Sequence, residues 1–451
     1  MDMDEADLQA VLRGDDFSVQ AFFRLVWHPA DVAEAMRAVD PEEWPRLLQL
    51  IDDTETRAEV LTEFDEAEKL LLFQFVDAKD ISPLLVELES DDAADLLADL
   101  EPHDQQRALA HYEDDERAEI EQLLSYPEDS AGGLMQVERA VVDRDATCLD
   151  AIRKVREQFE EGVEIYFVWI TDKQERLVGM VDMVSLVLHD DATPVAEVMD
   201  PIPATVTPLI DQEEVAFLFS KYDLVALPVI DDNDKFIGRI LVDDIVDVLE
   251  EEAEEDALRQ AGTDAEELLY KDRAFPIAKV RLPWIAVNLF GSLISAALLH
   301  LYEPVIEQVI LIASFVPVIT AMGGNVGTQS ATILTRGLAT GRIDDDDILR
   351  TVFKEFRVGL LMGLICGSAV GLIAGTLFGG ATMYLSLVVF VAMVSAMTAA
   401  AVVGSVAPAA MKRFGIDPAI ASGPFVTTAN DIVGIVIYMS TALMFIDKLK
   451  G

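Results

Sequence analysis

The stretch VTTANDIVGIVIY, from Val426 to Tyr438, places one carboxylate, that of Asp431, inside a long apolar run near the C-terminus. A run of about 20 apolar helical residues is long enough to cross a bilayer of about 30 Å. A charged side chain at the bilayer centre costs about 3 kcal/mol or more, so such residues usually face a bundle interior or a water-filled cavity. The stretch therefore predicts a membrane helix with a functional acid. The alternative is an aspartate that only bonds a neighbouring helix as packing glue.

Apolar runs like this one recur through the C-terminal part of the chain. Five segments are long enough to span a membrane, and they cover residues 283–301, 308–335, 358–379, 382–411 and 418–446. Asp431 is the one carboxylate near the middle of any of them, and Glu355 is expected in an inner loop with Asp344 to Asp347. We predict a transmembrane domain of five helices over 276–451.

The basic residues of the loops predict how these helices are oriented. Eleven Lys and Arg residues between Lys271 and Arg413 fall on one side, and only Lys448 and Lys450 fall on the other. Loops rich in Lys and Arg stay in the cytosol. We therefore expect a multi-pass protein of the cell (plasma or inner) membrane, with a cytosolic N-terminus and an external C-terminus.

The charge of the chain is divided as sharply as its hydropathy. The formal net charge is -49; residues from Lys271 onward carry 13 basic and 11 acidic side chains, and the first 270 residues carry 20 basic and 71 acidic ones. Nucleic acid is excluded as a partner, because its phosphates would be repelled. The acid either binds a hard divalent cation or serves as a solubilising surface suited to a salt-rich cytosol, and the two are compatible.

A second unusual segment is PVITAMGGNVGTQSATILTRGLATG, from Pro317 to Gly341. Its glycines are poor helix formers. They indicate either a helix broken beside a water-filled cavity or a seam of close helix packing. Oxygen ligands without soft ones favour Mg²⁺, Ca²⁺ or Mn²⁺, and few carboxylates with retained water suit Mg²⁺. One aspartate per chain offers few ligands to a divalent cation. We therefore expect a homodimer, which brings two Asp431 side chains to a shared axis.

The first 250 residues divide into two parts. Residues 1–130 contain loosely repeated amphipathic helices, a pattern typical of a superhelix of helix pairs. Residues 131–250 contain two similar units in which helices alternate with strands, such as DQEEVAFLFSKYDLVALPVIDDNDKFIGRILVDDIVDVL. The acidic segment 251–275 predicts a helix that either links these units to the membrane or gates it. The fold class is therefore multidomain: an all-α superhelix, duplicated α/β units and a five-helix α membrane domain.

Several long motifs follow one another along the chain: LLSYPEDSAGGLM, VMDP, YDLVALPVID, VDDIVDVLEEEAEED, the Pro317–Gly341 segment and GIDPAIASGPFVTTANDIVGIVIY. In this order they resemble motifs of the MgtE magnesium channels. The resemblance covers essentially the whole chain. It implies that the α/β units are tandem CBS domains, that 251–275 is a plug helix, and that the protein is a homodimeric channel carrying Mg²⁺ into the cell down its gradient.

The same resemblance implies a pore. Asp431 matches the pore carboxylate that holds hydrated Mg²⁺. The other expected pore residues are Gly324, Thr328, Thr332, Asn430 and Gly423. Thr328 and Gly423 stand where some members of the family have asparagine, so the pore wall lacks those amides here.

A cytosolic gate is implied as well, in which Mg²⁺ bridges acidic residues and holds the plug helix closed. The expected sensor residues are Asp223, Asp244, Asp247, Glu252, Glu255 and Asp256, with Glu59, Asp91 and Asp95 from the helical domain. For each of them the alternative is a solvated surface acid. CBS pairs also bind adenine nucleotides, and ATP is expected at one site at most, that of Asp244, because Ser185 occupies the equivalent position of the first unit.

Other functions stay open beside this one. The same scaffold could carry another divalent ion, such as Co²⁺ or Mn²⁺, or serve as a membrane-anchored sensor of ions or nucleotides. No Walker A loop, HExxH motif or nucleophile–base arrangement occurs in the sequence, so we do not expect an enzyme.

Overall fold

The computed structural model describes residues 5–25, 28–64, 66–73, 75–76, 78–160, 163, 165–263, 274–377, 382–421 and 423–449. The chain divides into two compact units, Met1–Glu250 and Glu251–Gly451. Part of the predicted plug segment, 264–273, lies outside the described residues.

The first unit begins with short stacked helices. They are α1 (Glu5–Leu12), α2 (Asp16–Phe23), α3 (Pro29–Arg37), α4 (Trp44–Gln49), α5 (Thr54–Thr62), α6 (Glu66–Leu72), α7 (Ala78–Leu85), α8 (Ser90–Ala98), α9 (Pro102–Leu109) and α10 (Asp114–Leu123). Aspartates cap two of them, since Asp15 accepts from Ser18 N and Asp53 from Thr56 N. Because α3 packs on α5, α5 on α7 and α7 on α9, the predicted superhelical stacking is confirmed.

Two α/β units follow. The first contains β1 (Val141–Asp143), α11 (Cys148–Glu160), β2 (Phe167–Thr171), β3 (Leu177–Asp182), α12 (Met183–Leu188) and α13 (Val195–Val198), and the second contains α14 (Gln212–Tyr222), β4 (Ala226–Ile230), β5 (Phe236–Leu241) and α15 (Val242–Ala261). β1 is parallel to β2, while β2–β3 and β4–β5 are antiparallel hairpins. Glu175 and Asp234 occupy the same left-handed position in the two hairpin turns, with φ of 63° and 62°. The predicted duplication is confirmed.

The second unit holds the membrane helices. They are α16 (Ala274–Leu301), α17 (Glu303–Gln308), α18 (Val316–Ala339), α19 (Ile348–Leu377), α20 (Thr382–Arg413), α21 (Pro424–Met444) and α22 (Ile446–Leu449). Five helical segments of the described chain are long and apolar enough to cross a membrane: Ala274–Leu301, Ile310–Ala339, Ile348–Thr376, Met383–Arg413 and Pro424–Met444. The predicted number of spans is confirmed, although the first and third helices begin about ten residues earlier than hydropathy predicted.

The glycine-rich segment forms a packing seam. α18 is continuous from Val316 to Ala339, so the broken-helix alternative is wrong. Gly323, Gly324 and Gly327 are buried in it, and a Cβ on Gly404 of α20 would overlap the carbonyl oxygen of Gly327. The absence of side chains lets the two backbones approach closely, which outweighs the low helix propensity of glycine.

Glu355 does not lie in a loop, and that prediction is wrong. It lies inside α19 and is 3% exposed. Its Oε2 accepts a hydrogen bond of 2.9 Å from Ser330 Oγ of α18. A buried carboxylate needs such a partner, and hydropathy alone could not reveal it.

Candidate ion pathway and acidic cluster

Asp431 lies two turns into α21, which begins with Gly423 as its N-cap and Pro424 at the first helical position. Proline suits that position because its missing N–H would be unpaired there in any case. The carboxylate is half-buried. Within the described residues it has no hydrogen-bond or ion-pair partner, and packing glue would need one. An acid without a partner at membrane depth is suited to meet an ion.

α18 supplies the small residues that let α21 come close. A Cβ on Gly324 would lie 3.6 Å from Thr427 Cγ2. A Cβ on Gly327 would overlap the Asn430 amide. The structure therefore brings Gly324 of α18 against the turn of α21 that precedes Asp431.

Asn430 packs inside the protomer in this conformation. It is 1% exposed, and neither its Nδ2 nor its Oδ1 has a hydrogen-bond partner. An unpaired buried polar group costs about 1–3 kcal/mol. Its expected role in the pore stays a prediction.

The two threonines before Asp431 turn to different neighbours. Thr428 Oγ1 donates to Asn288 Oδ1 of α16 at 3.1 Å, and Gly291 of α16 packs against the Thr428 methyl group. Thr427 Oγ1 donates to its own helix at Gly423 O, at 3.3 Å. Both lie three or four residues before Asp431 and so share its side of α21, but their hydroxyl groups are bonded to other residues.

The end of α15 reaches two of the expected pore positions. Thr332 Oγ1 lies 3.4 Å from Gln260 Oε1. A Cβ on Gly423 would lie 2.7 Å from Gln260 O, so the glycine is required for this approach. Thr328, one turn before Thr332 on α18, is half-buried. Gln260 therefore contacts the segments that end α18 and begin α21.

Two of the expected sensor acids on α15 are paired with arginine. Glu255 contacts Arg259, which also reaches Asp417 Oδ2 at 2.6 Å. Asp256 Oδ2 lies 3.2 Å from Arg336 Nη1 of α18. Glu252 is half-buried on the same helix. Their assignment to a metal site stays a prediction.

The first unit contains a separate cluster of carboxylates, where the start of α8 packs on the segment before β1. Ser90 Oγ donates to Glu138 Oε2 at 2.7 Å and accepts from Val137 N at 2.9 Å. Gln136 Nε2 donates to Glu89 Oε2 at 2.6 Å. These bonds hold α8 against residues 136–138, and Gln136 exchanges backbone hydrogen bonds of 2.7 and 2.9 Å with Arg239 of β5. Just beyond, Asp244 Oδ2 accepts from Leu241 N at 3.2 Å.

The carboxylates of this acidic cluster, which we define as Glu89, Asp91, Asp92 and Asp244, destabilise each other's charged forms. Burial, with Asp244 second, raises the pKa of Asp91 well above its ordinary value, and one oxygen of this 6% exposed residue has no partner. Burial likewise raises the pKa of Asp244 to about 8, with Asp243 adding to it. Burial raises the pKa of Glu89 to about 7 and that of Asp92 to about 6.

The family resemblance had implied part of this cluster. Asp91 and Asp244 are brought together, whereas Glu89 and Asp92 were missed, together with Glu138 and Asp243 beside them. Their signal was adjacency, since Glu89 and Asp92 flank Asp91 within four residues.

The remaining expected sensor residues lie around or apart from it. Asp95 and Asp247 are exposed on α8 and α15, and Glu59 is exposed on α5. Asp223 is exposed at the C-terminal end of α14, with a left-handed φ of 52°. Of these, Asp247 contributes to the charge that faces Asp92.

The ligand type of this cluster suits a divalent cation, but its side chains are not arranged as a complete metal site. Carboxylate oxygens are the ligands that hard cations take, and the unpaired Asp91 oxygen is available to one. Among the residues that the structure describes, however, no three His, Cys, Asp or Glu side chains are arranged to hold a metal ion.

The two α/β units carry an acid at different positions after their last strand, since the position of Asp244 in the second unit is that of Ser185 in the first. Asp182 caps α12 and accepts from Ser185 N at 2.9 Å and from Ser185 Oγ at 2.7 Å. Asp244 lies within the first turn of α15 and faces Asp91. The expected nucleotide contact of Asp244 stays a prediction.

Three family models match this chain. Residues 316–441 match a divalent cation transporter, residues 27–129 match an MgtE intracellular N domain, and residues 195–251 match a CBS domain. The second of the two α/β units is thus a CBS domain.

Curated relatives match over most or all of the chain. The magnesium transporter MgtE of Thermus thermophilus is 37% identical over 335 residues, which are 74% of this chain and 74% of that protein. The magnesium transporter MgtE of Bacillus subtilis is 30% identical over 453 residues, covering 100% of this chain and 99% of that protein.

One solved structure is similar to the first unit. It is the cytosolic domain of the Mg²⁺ channel MgtE in complex with ATP, with a TM-score of 0.50, 32% identity, and coverage of 54% of this chain and 99% of that chain. Together with the five membrane helices, these similarities show a multi-pass membrane transport protein. The chain belongs to the MgtE family of magnesium transporters.

Proposed function

We propose that this protein is a homodimeric channel that passes Mg²⁺ into the cytosol at Asp431. The observation that carries the proposal is a half-buried membrane carboxylate that has no partner among the described residues. Relatives named magnesium transporters support the choice of ion. A second chain would bring a second Asp431, and a pair of carboxylates with retained water suits hydrated Mg²⁺.

Entry into the cytosol follows from the orientation of the chain. By the positive-inside rule, the loops with eleven basic residues would face the cytosol together with the acidic first unit, and the C-terminal end, with two, would face outside. A resting potential that is negative inside favours entry of a cation by about 2.3 kcal/mol per charge for each 100 mV. Conduction then needs no coupled reaction.

Cytosolic Mg²⁺ closes the channel in this proposal. The acidic cluster, with Asp95 and Asp247 beside it, is an unfavourable arrangement that divalent cations relieve. Bound Mg²⁺ would hold α8 against the start of α15 and so keep the plug helix in place. Gln260, near the end of α15, contacts both Thr332 and Gly423. These contacts support the end of α15 as the element that closes the pore.

An adenine nucleotide is the second proposed ligand. The similar structure that holds ATP supports a site in the CBS region, with Asp244 as the ribose contact. Since Asp244 also faces Asp91, nucleotide and Mg²⁺ would affect the same acid.

Flux into liposomes tests the pore. The purified protein is reconstituted, and Mg²⁺ entry is measured for wild type, Asp431→Asn and the control Glu303→Gln at the start of α17. We expect entry to fall at least about tenfold in Asp431→Asn, because the neutral amide removes the charge that attracts the hydrated ion at membrane depth, and to be unchanged in the control. Equal entry in all three would return Asp431 to a packing role.

The choice of ion has its own test on the same vesicles. Co²⁺, Mn²⁺ and Ca²⁺ are added as competitors of Mg²⁺ entry. Weak competition by all three supports a Mg²⁺ pathway. Entry of Co²⁺ or Mn²⁺ faster than that of Mg²⁺ would favour the alternative divalent carrier, which the divalent cation transporter match also allows.

A further inference from the structure

Two arginines make three contacts with carboxylates at the last turns of α15, and conduction does not need them. Arg259 Nη1 donates to Asp417 Oδ2 at 2.6 Å, and the same guanidinium contacts Glu255 one turn earlier. Arg336 Nη1 of α18 donates to Asp256 Oδ2 at 3.2 Å. The two arginines lie on opposite partners, one on α15 and one on α18.

Asp417, the partner of Arg259, is itself fixed by a hydrogen bond to the backbone. Its Oδ1 accepts from Ala419 N at 2.7 Å, which fixes it at the 3₁₀ turn Pro418–Ala421 that leads into α21. Thr335 Oγ1 of α18 donates to Pro418 O at 3.3 Å. The contacts of α15 with Asp417 and Arg336 therefore end on backbone that continues into α21 and α18, the helices of Asp431 and Gly324.

The surroundings of these contacts make them more than surface pairs. The side chains of Arg259 and Asp417 are 29% and 34% exposed, so solvent screens the pair less than it screens pairs on an open surface. The neighbouring contacts of Gln260 with Thr332 and Gly423 lie within one residue of Arg259. The charged pairs thus flank the place where α15 meets the expected pore positions.

We propose that Arg259–Asp417 and Arg336–Asp256 form an ionic latch that holds α15 over the inner ends of α18 and α21 in the closed channel. The latch is made by charges of the protein, and Glu255 and Asp256 serve as its partners instead of as metal ligands. This inference rests on the proposed gate. It adds a closing contact whose strength depends on ionic strength and not on a bound cation.

Charge reversal and rescue test the latch in the full chain in liposomes. Mg²⁺ entry is measured over a range of cytosolic-side Mg²⁺ for wild type, Arg259→Glu, and the swap Arg259→Glu with Asp417→Arg. Weakening one such pair shifts an open–closed equilibrium by about three-fold. We expect Arg259→Glu to admit more Mg²⁺ at every sub-saturating concentration and to need more Mg²⁺ for closure, and the swap to return towards wild type.

Two additions keep the result interpretable. Arg350→Glu removes an arginine paired only loosely with Asp347, at 3.9 Å, and should leave the closing curve unchanged. In wild type, raising NaCl from about 0.1 M to about 1 M shortens the screening length from about 10 Å to about 3 Å. That change should increase entry at a fixed Mg²⁺ concentration, even if a reversed variant does not fold.

The latch and the gate can fail separately. If Arg259→Glu and high salt leave entry at the wild-type level while wild type still closes with Mg²⁺, the latch is wrong and the gate stands. If wild type never closes with Mg²⁺ but Arg259→Glu still raises entry, the latch stands and Mg²⁺ sensing is wrong. Equal entry for wild type, Arg259→Glu and the swap at all salt concentrations overturns the latch.

Discussion

The carboxylates of this protein occur in two opposite settings. In the first unit, Glu89, Asp91, Asp92 and Asp244 are crowded together, and burial and mutual repulsion raise their pKa values. In the second unit, Asp431 is alone on α21, with no partner among the described residues. Crowding makes a set of acids that gains from any cation. Isolation makes an acid that a passing ion can occupy and leave.

The position of Asp431 depends on the close packing of the membrane helices. Disturbing that packing has the largest expected effect on stability and on Mg²⁺ entry. In Gly404→Ala the new methyl group would strike the backbone of Gly327, which cannot turn aside as a side chain can. Overpacking of this kind costs about 1–3 kcal/mol. We expect a lower thermal midpoint in detergent and less Mg²⁺ entry.

Gly323→Ala is the matched control for that substitution. It adds the same methyl group on α18, where the nearest atom outside the helix is 3.9 Å away. Its thermal midpoint should stay near that of wild type or rise. If both alanine variants have the same thermal midpoint, the close approach of α20 to α18 at Gly327 does not stabilise the membrane domain.

Relieving the crowded acids should stabilise the first unit. Asp244→Asn removes a charge but keeps an oxygen that can accept from Leu241 N. Without Mg²⁺ at pH 7.5, we expect the free energy of unfolding to rise by about 1–2 kcal/mol, since each unit of pKa shift is worth about 1.4 kcal/mol and exposure reduces the effect. Denaturant titration of the first-unit transition measures it.

A surface aspartate serves as the control here. Asp232 is exposed in the β4–β5 turn, and Asp232→Asn should change the free energy of unfolding by less than about 0.5 kcal/mol. An Asp244→Asn variant less stable than wild type would mean that the cluster is not repulsive.

Lowering the pH should stabilise the folded state, as Asp244→Asn is expected to do, because both changes neutralise carboxylates of the acidic cluster. Cluster acids with pKa values of about 6 to 8 in the folded chain have values near 4 when unfolded. The folded state therefore binds more protons between about pH 4 and pH 8, and its stability falls as pH rises across that window. The thermal midpoint without Mg²⁺ should be higher at pH 5.5 than at pH 8, and Asp244→Asn should flatten the dependence.

The smallest predicted effect separates Asp182 of the first α/β unit from Asp244 of the second. Asp182 caps α12, so Asp182→Ala should cost about 1 kcal/mol in unfolding free energy. It should not move the Mg²⁺ concentration that closes the channel. If Asp182→Ala shifts that Mg²⁺ concentration as much as Asp244→Asn does, the first α/β unit belongs to the sensor as well.

How much the sequence could predict depended on whether the signal was local. Hydropathy predicted five spans, and the alternation of helix and strand predicted the duplicated units. That Asp91 and Asp244, 153 residues apart in sequence, belong to one set of acids was implied only by the family resemblance, and their proximity to each other was not predicted. The arginine partners of Glu255 and Asp256 were missed, because ion pairs between distant segments leave no periodic trace. Glu355 was misplaced because a single buried charge lowers hydropathy as a loop does.

The measurement that tests the account most directly compares Asp431→Asn and Asp91→Asn in one flux experiment. Mg²⁺ entry into liposomes is recorded while Mg²⁺ on the cytosolic side is varied. We predict that Asp431→Asn loses entry at every Mg²⁺ concentration, whereas Asp91→Asn keeps wild-type entry at low Mg²⁺ and changes only the concentration at which entry stops. Asp431→Asn that conducts normally, or Asp91→Asn that closes with the wild-type dependence, would contradict the division of roles between the isolated and the crowded acids.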